Sequence, residues 1–301
     1  MSRDALDRVA AALPAGAAAA LSDGLTPTDL QTLLLAVSRQ RAARVTPAAL
    51  LRRRRSDRFV RPAATDPRRL SRLEARLWEL LPARFDGLEL SPVVPLGTSS
   101  ALAPTDQHRV ISTVRGSEVL SDPTNALALE AALRRADAPR AGAAPVRLAC
   151  CHRVLRAQPF PAGWSPHFRL FALVSSARDT GSGRTEAAML VEHGRFFLQA
   201  LRDLLPGHDV RLEVSAFGTG PVAERIGDTV LPALREHGTV ERADDRTHGR
   251  GYYRSAAVRI TVDGAEVGDG GVTDWTATLL QDAKERCFVS CVSTERLLAP
   301  G

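Results

Sequence analysis

Lysine is almost missing from this chain: Lys284 stands alone beside 39 arginines, and 301 residues hold two tyrosines and two methionines. Arginine in place of lysine, with abundant alanine, is the composition a GC-rich coding sequence produces. The net charge of +6 is therefore a weak sign of a nucleic-acid partner. No apolar run approaches the roughly 18 residues needed to cross a bilayer, and the start lacks the basic, apolar and cleavage regions of a secretory signal. The expected location is cytoplasmic, with no membrane partner. There the four cysteines, Cys150, Cys151, Cys287 and Cys291, are expected as reduced thiols rather than disulfides. Internal repeats are also absent, as is any low-complexity linker beyond the alanine-rich first twenty residues. The length suits one large domain with an extension, or two modest domains.

Residues 1–62 read as a helical, arginine-rich extension. Within "TPTDLQTLLLAVSRQRAA", Thr26 is placed to cap a helix, Pro27 to occupy its first position and Asp29 its first turn, while Leu30, Leu33, Leu34 and Val37 recur at intervals of three or four. The run Arg52–Arg55 that follows is either a solvated helix end whose stems cover apolar surface or a surface facing phosphate. A core is expected over 63–301. It opens with the amphipathic "PRRLSRLEARLWELLP", whose Leu70, Leu73, Leu77, Trp78 and Leu81 share one face.

Beyond Pro82 the pattern mixes short apolar runs with helices. "GLELSPVVP", "HRVISTVR", "SEVLSDPT", "VRLACCHRVLRA", "HFRLFALVSS", "DVRLEVSAFG" and "YYRSAAVRITVDG" read as strands, and Thr185 to Leu205 as a helix. Hairpin-like strands without a regular strand-helix-strand cadence predict an α+β fold with a mostly antiparallel sheet flanked by helices. Chain ends fray, so the closing Glu295-Arg296-Leu297-Leu298 is expected as a docked element rather than a loose tail.

Several motifs fall in a recognisable order. "HRVL" is followed after a loop by "HFRLF"; then come "HGRGYYRSAAVRI", "GGVTDWTATLL" and "CVSTERLL", with "LSDPT" upstream. Over roughly residues 67–301 this order resembles the catalytic core of class II aminoacyl-tRNA synthetases, the histidyl branch most of all. The resemblance puts Arg153 at the arginine of the family's F-R-x-E motif, and His167 and Phe171 at its H/R-x-x-x-F. An alternative register runs through Leu155, Arg156, Ala157 and Gln158; the reading with Arg153 is preferred. Tyr252, Tyr253, Gly270, Gly271, Asp274, Glu295 and Arg296 match the later motifs, Arg250 lies near the place of a motif arginine, and Asp122 and Thr124 match the segment that contacts the amino acid. The sequence departs from the family at Leu155, where the preferred register has the motif glutamate. His248 replaces an arginine, and Cys291 and Ser293 replace glycines that let backbone lie against adenine.

The resemblance implies a class II sheet that binds ATP with Mg2+ and an amino acid. Arg153 and Arg296 would hold the α- and γ-phosphates, as planar, permanently charged guanidinium forks suit phosphate oxygens. His167 and Phe171 would complete the ATP site, and Asp122 would face the substrate ammonium, with Thr124, Arg250, Tyr252 and Tyr253 beside it. Neighbouring tyrosines are expected to split between core and pocket. Related enzymes hold zinc with two cysteines and a glutamate, which would fall here on Cys151 (or Cys150), Cys291 and Glu186 (or Glu192); buried cysteine as a small hydrophobe is the competing reading. His152, His193 and His248 read as surface or capping residues, and Trp164 and Phe160 as part of the loop between the two motif strands. The segment Pro67–Pro95 resembles the family's dimerisation motif, implying a homodimer. The resemblance is to the catalytic core alone, so a protein lacking the anticodon-binding domain of histidyl enzymes is expected.

Three functions are in view. One is a stand-alone protein that activates an amino acid as its adenylate, for transfer to a carrier protein, a tRNA-like RNA or another acceptor. Another is an inactive synthetase paralogue regulating or scaffolding a partner enzyme. The third is an RNA-binding protein using Arg52–Arg55, Arg68 and Arg69.

Overall fold

The computed structural model describes residues 3–138, 144–161 and 164–298. Four helices come first: α1 (Arg3–Ala12), α2 (Ala17–Ala19), α3 (Pro27–Ala42) and α4 (Pro47–Ser56). Thr26 caps α3 as its sequence predicts, its Oγ1 accepting from the Asp29 amide at 3.2 Å. No side chain of α2, α3 or α4 is buried, and Leu33 and Val37 stay exposed. Residues 1–62 contain eleven arginines and five aspartates and so account for the whole net charge of +6. This segment is fastened to the rest by Arg58, which donates to the Gln158 carbonyl at 2.8 Å and to that of Ala157, and by the Arg61 carbonyl, 2.6 Å from His167 Nε2.

The core begins with α5 (Pro67–Leu80), capped by Asp66 and burying Leu70, Leu73 and Leu77, three of the five positions its periodicity marks. Then follow β1 (Asp86–Gly87), β2 (Val93–Pro95), α6 (Thr98–Leu102), β3 (Ser117–Val119), α7 (Pro123–Asp137), β4 (Val146–Leu155), β5 (His167–Arg178), α8 (Arg184–Leu204) and β6 (Val210–Ala216). The chain continues through α9 (Pro221–Arg225), α10 (Leu231–Arg235), β7 (Thr239–Arg242), β8 (Ala256–Val262), β9 (Ala265–Thr273), α11 (Trp275–Leu280), β10 (Glu285–Ser293) and α12 (Thr294–Leu297). The expected terminal helix is docked: Thr294 and Leu297 are both buried. Among the described residues no helix is long and apolar enough to cross a membrane.

Eight strands form one sheet in the order β1-β4-β5-β10-β9-β8-β6-β7, and β2 pairs with β3 in a small ribbon. The sheet is mixed, which corrects the expectation of a mostly antiparallel one. Both edge strands run parallel to their neighbours, β1 to β4 and β7 to β6, because each pair is joined by a crossover containing helices rather than by a hairpin. The edges are two and four residues long, too short to leave a strand pattern in sequence. "HRVISTVR" is likewise no strand. Gln107–Arg109 form a 3-10 turn, and Ser112 makes an isolated bridge to Glu118.

Apolar side chains fill both faces. The first face is covered by α5, α8, α9 and α10, with Phe171, Leu173, Val258, Ile260 and Phe288 beneath them. The second is covered in part by α7 and α11, over Leu148, Cys150, Ala172, Ala257 and Val289. Two buried polar arrangements tie these layers together. Arg135 of α7 grips Glu285 of β10 with paired contacts of 2.9 and 2.8 Å. His193 of α8 sits between Ser175 Oγ (2.8 Å) and Ser290 Oγ (2.7 Å), bridging β5 and β10. His152 and His193, expected from sequence as surface or capping residues, are both buried, and serine hydroxyls satisfy the ring of His193 inside the core.

Candidate ligand-binding site

On the second face, α7 and the 248–253 turn leave a cavity of about 510 Å3 uncovered. It is lined by Asp122, Asn125, Arg156, Gln158, Tyr252 and Asp269, with Arg109, His248, Arg250 and Tyr253 adding to its walls. Both tyrosines of the chain and its single asparagine meet here.

Asp122 is positioned by its role as the cap of α7. Its Oδ1 accepts from the Thr124 amide (3.0 Å) and hydroxyl (2.7 Å). Pro123 supplies the fixed φ of the first helical position. Its other oxygen accepts from the Tyr252 hydroxyl at 3.3 Å and lies 3.7 Å from Arg156 Nη2. Thr124 itself is buried and acts by holding Asp122. Across the cavity Asp269 of β9 accepts from the Tyr253 hydroxyl at 3.0 Å and stands 3.6 Å from Arg246. Burial raises the Asp269 carboxyl above its ordinary value, against the pull of that hydroxyl and of Arg246. Burial, reinforced by the nearby carboxylates, also pushes both tyrosine hydroxyls well up, so they remain donors.

Both tyrosines touch the cavity from a turn rather than a strand; Tyr253 is at the same time part of the buried core, and Tyr252 packs against it partly buried. Gly271 makes room for them: a Cβ there would lie 2.5 Å from the Tyr253 ring. Arg109 closes the Gln107–Arg109 turn, and its carbonyl accepts from the Ala157 amide at 2.8 Å; Gln107 of the same turn donates to Glu118, whose carboxylate also accepts from the Gly97 and Ser99 amides, each within 2.9 Å. Asn125 is 2% exposed, and its Nδ2 has no hydrogen-bond partner among the described residues. A buried unpaired donor on a cavity wall is costly unless a ligand supplies the acceptor.

Arg156 donates through Nε to the Ser121 carbonyl at 2.8 Å and lies 5.2 Å over the Phe168 ring. Arg153, preferred in the sequence reading, is outside the cavity. On β4 it belongs with Cys151 on the first face, where its Nη2 is 2.8 Å from Glu295 and its Nη1 is 3.0 Å from His167 Nδ1. His167 is tied to Arg61, and Phe171 is fully buried against Trp78 at 4.9 Å. Arg250 reaches the cavity wall, stacked 5.0 Å over Phe217. Arg296 leaves β10 into α12, donates to the Glu266 carbonyl at 2.8 Å and stacks 4.3 Å over Trp164. Burial lowers its pKa, with Glu266 opposing and the charge of Arg156 adding to the effect. Arg156 and Arg296 are thus electrostatic neighbours.

The proposed zinc ligands are not brought together. Cys151 faces Arg169 and Glu74 on the first face, Cys291 packs on the second, and Glu186 on α8 pairs with Arg286 at 2.8 Å. Burial pushes the Cys151 thiol up to about 12 and the Cys291 thiol well above its ordinary value, which opposes the thiolate form that zinc needs. Among the described residues no cluster of three His, Cys, Asp or Glu side chains is placed to hold a metal.

Asn125, Asp269, Arg109 and Phe168 were not singled out by the sequence. Rarity marked one of them: a lone asparagine two residues after a helix-starting Asp-Pro is a visible anomaly.

A large sheet with helices on both faces and this polar cavity on one of them defines the class: the fold is that of a class II aminoacyl-tRNA synthetase catalytic core. Its solved neighbours include an ATP phosphoribosyltransferase regulatory subunit/histidyl-tRNA synthetase from Bacillus halodurans C (TM-score 0.61, 11% identity, covering 80% of this chain and 82% of that one). They also include the apo histidyl-tRNA synthetase of S. aureus (TM-score 0.61, 14% identity, 79% and 67%). A histidine–tRNA ligase subunit from Alicyclobacillus acidocaldarius is similar too (TM-score 0.57, 15% identity, 79% and 96%). At such identities the likeness is one of fold. No family model matches the chain, and no curated protein matches it by sequence.

Proposed function

We propose that the cavity binds an amino acid and ATP side by side, and that the chain activates the carboxylate as an adenylate for an acceptor other than a decoded tRNA. The observation that carries this reading is the convergence of Asp122, Asn125, Arg156 and Gln158 on one cavity of a class II fold. Asp122, with Tyr252, suits an ammonium. Arg156 suits the α-phosphate, and Gln158 takes the place of the motif glutamate in the alternative register, where its amide oxygen could receive an adenine amino group. Phe168 offers a ring beside Arg156, and Arg296 is the second guanidinium for the phosphates. The unpaired Asn125 donor fits a ligand acceptor. Mg2+ accompanying the triphosphate would neutralise its charge, and the chain's part is orientation and fixed positive charge around the attacking carboxylate. ATP–pyrophosphate exchange across a panel of amino acids tests it: exchange with at least one is expected, and none with any, together with no ATP binding, refutes it.

A second reading is favoured by Cys291 and Ser293, which put side chains where family members have glycine beside the nucleotide. Under it the chain is a non-catalytic subunit of a partner enzyme, in keeping with the regulatory-subunit description of one neighbour. Co-purification with a partner, and cavity binding of an amino acid without exchange, would mark this case. In either reading a homodimer through α5, β1 and β2 is expected, checked by light scattering.

A further inference from the structure

A second cavity, of about 740 Å3, lies on the other face of the sheet beside α8. One wall is a stripe of α8: Arg184, Ala188, Val191, Glu192 and Arg195 recur at the intervals that stack on one helix face. The sheet contributes Arg147, Ser175, Ala177 and Arg178, and Thr229 and Ala233 close it opposite.

Five arginines line this cavity against two carboxylates, Asp179 and Glu192. The carboxylates are already engaged. Glu192 is shared by Arg84 and Arg147, the latter at 2.8 Å, and Asp179 is held by Arg286 at 2.7 Å. Arg178 is paired outward with Asp282 at 2.8 Å. Arg184 donates to the Thr180 carbonyl and has no carboxylate partner among the described residues. Arg195 has neither ion pair nor hydrogen bond among them, and its Nε is shut off from solvent. A guanidinium donor removed from water without an acceptor is unfavourable, and the remaining walls at Ala177, Met189, Val191 and Ala233 are apolar.

We propose that this cavity is a binding site for a small organic anion, a carboxylate or phosphomonoester with an apolar body. Arg195 holds the anionic group, Arg184, about three turns away along α8, adds positive charge at the other end of the cavity, and Ala177, Met189 and Val191 take the apolar part. The site is separate from the first: Arg147, Ser175 and Ala177 point to the opposite face of the sheet. The reading does not rest on adenylation, so the two can fail independently.

Titration calorimetry of the full chain with phenyl phosphate, benzoate and uncharged benzyl alcohol tests it. The expected result is saturable binding of phenyl phosphate, benzoate or both at one site per chain, and none of benzyl alcohol; which anion binds more tightly distinguishes phosphomonoester from carboxylate. Arg195→Met should weaken binding at least tenfold and Arg184→Ala should weaken it measurably, while Arg156→Ala in the first cavity leaves it unchanged. Arg184 is exposed, so its variant serves should Arg195→Met fail to fold. Failure of both anions to bind, or binding insensitive to Arg184 and Arg195, or binding lost with Arg156→Ala, overturns the proposal.

Discussion

At the residue scale, the cavity concentrates what the sequence uses sparingly: both tyrosines and its one asparagine. Asp122 does double duty as helix cap and as the candidate ammonium partner. Asp122→Ala is expected to cost about 1 kcal/mol of stability from the lost cap and to weaken amino-acid binding by tenfold or more, read by calorimetry. Asp122→Asn should keep the cap and still lose the binding. His193 gives a pH signature. Burial, with Arg147 adding, lowers its pKa to about 3, whereas unfolded histidine titrates near 6.5. Between those values the unfolded chain binds a proton that the fold refuses, so stability falls as pH drops from about 6.5 toward 3. The loss from pH 7 to pH 5 is about 2 kcal/mol from this group, measurable as a shift in urea midpoint. His193→Gln should flatten that part of the profile.

At the element scale, the helices were legible and the strand phase was not. Leu70, Leu73 and Leu77 of α5 and the Thr26 cap of α3 could be read from spacing and capping residues, because a helix writes its buried face and its start locally. The core strands β4 and β5 are apolar on both faces, so alternation does not say which side chains point to the cavity. A shift of one residue exchanges faces. That is why Arg153, His167 and Phe171 fell on one side while Arg156, Gln158 and Phe168 stand on the other. Edge strands of two and four residues left no signal at all. The Arg135–Glu285 pair, 2% and 5% exposed, locks α7 to β10. Arg135→Ala is expected to cost about 3–5 kcal/mol by stranding a buried carboxylate, while replacing both residues with leucine or methionine should be near neutral. Chemical denaturation distinguishes the two.

At the scale of the whole molecule, charge is partitioned: the net +6 resides in residues 1–62, and the core is neutral overall. Since α2, α3 and α4 bury no side chain, removing residues 1–56 should move the melting temperature by less than about 2 °C. Loss of a folded core on truncation would contradict the described packing. Arg58 stays in that truncation because it fastens the chain to the Ala157 and Gln158 carbonyls at the cavity.

The account turns on which guanidinium faces the ligand. Equilibrium binding of a non-hydrolysable ATP analogue to the wild type, Arg156→Ala and Arg153→Ala tests this most directly. One charge-assisted contact to phosphate contributes about 1.5–3 kcal/mol, so Arg156→Ala should weaken binding by roughly tenfold to a hundredfold while Arg153→Ala stays within about threefold of wild type. Undiminished binding by Arg156→Ala, or no binding by the wild type at all, would contradict it.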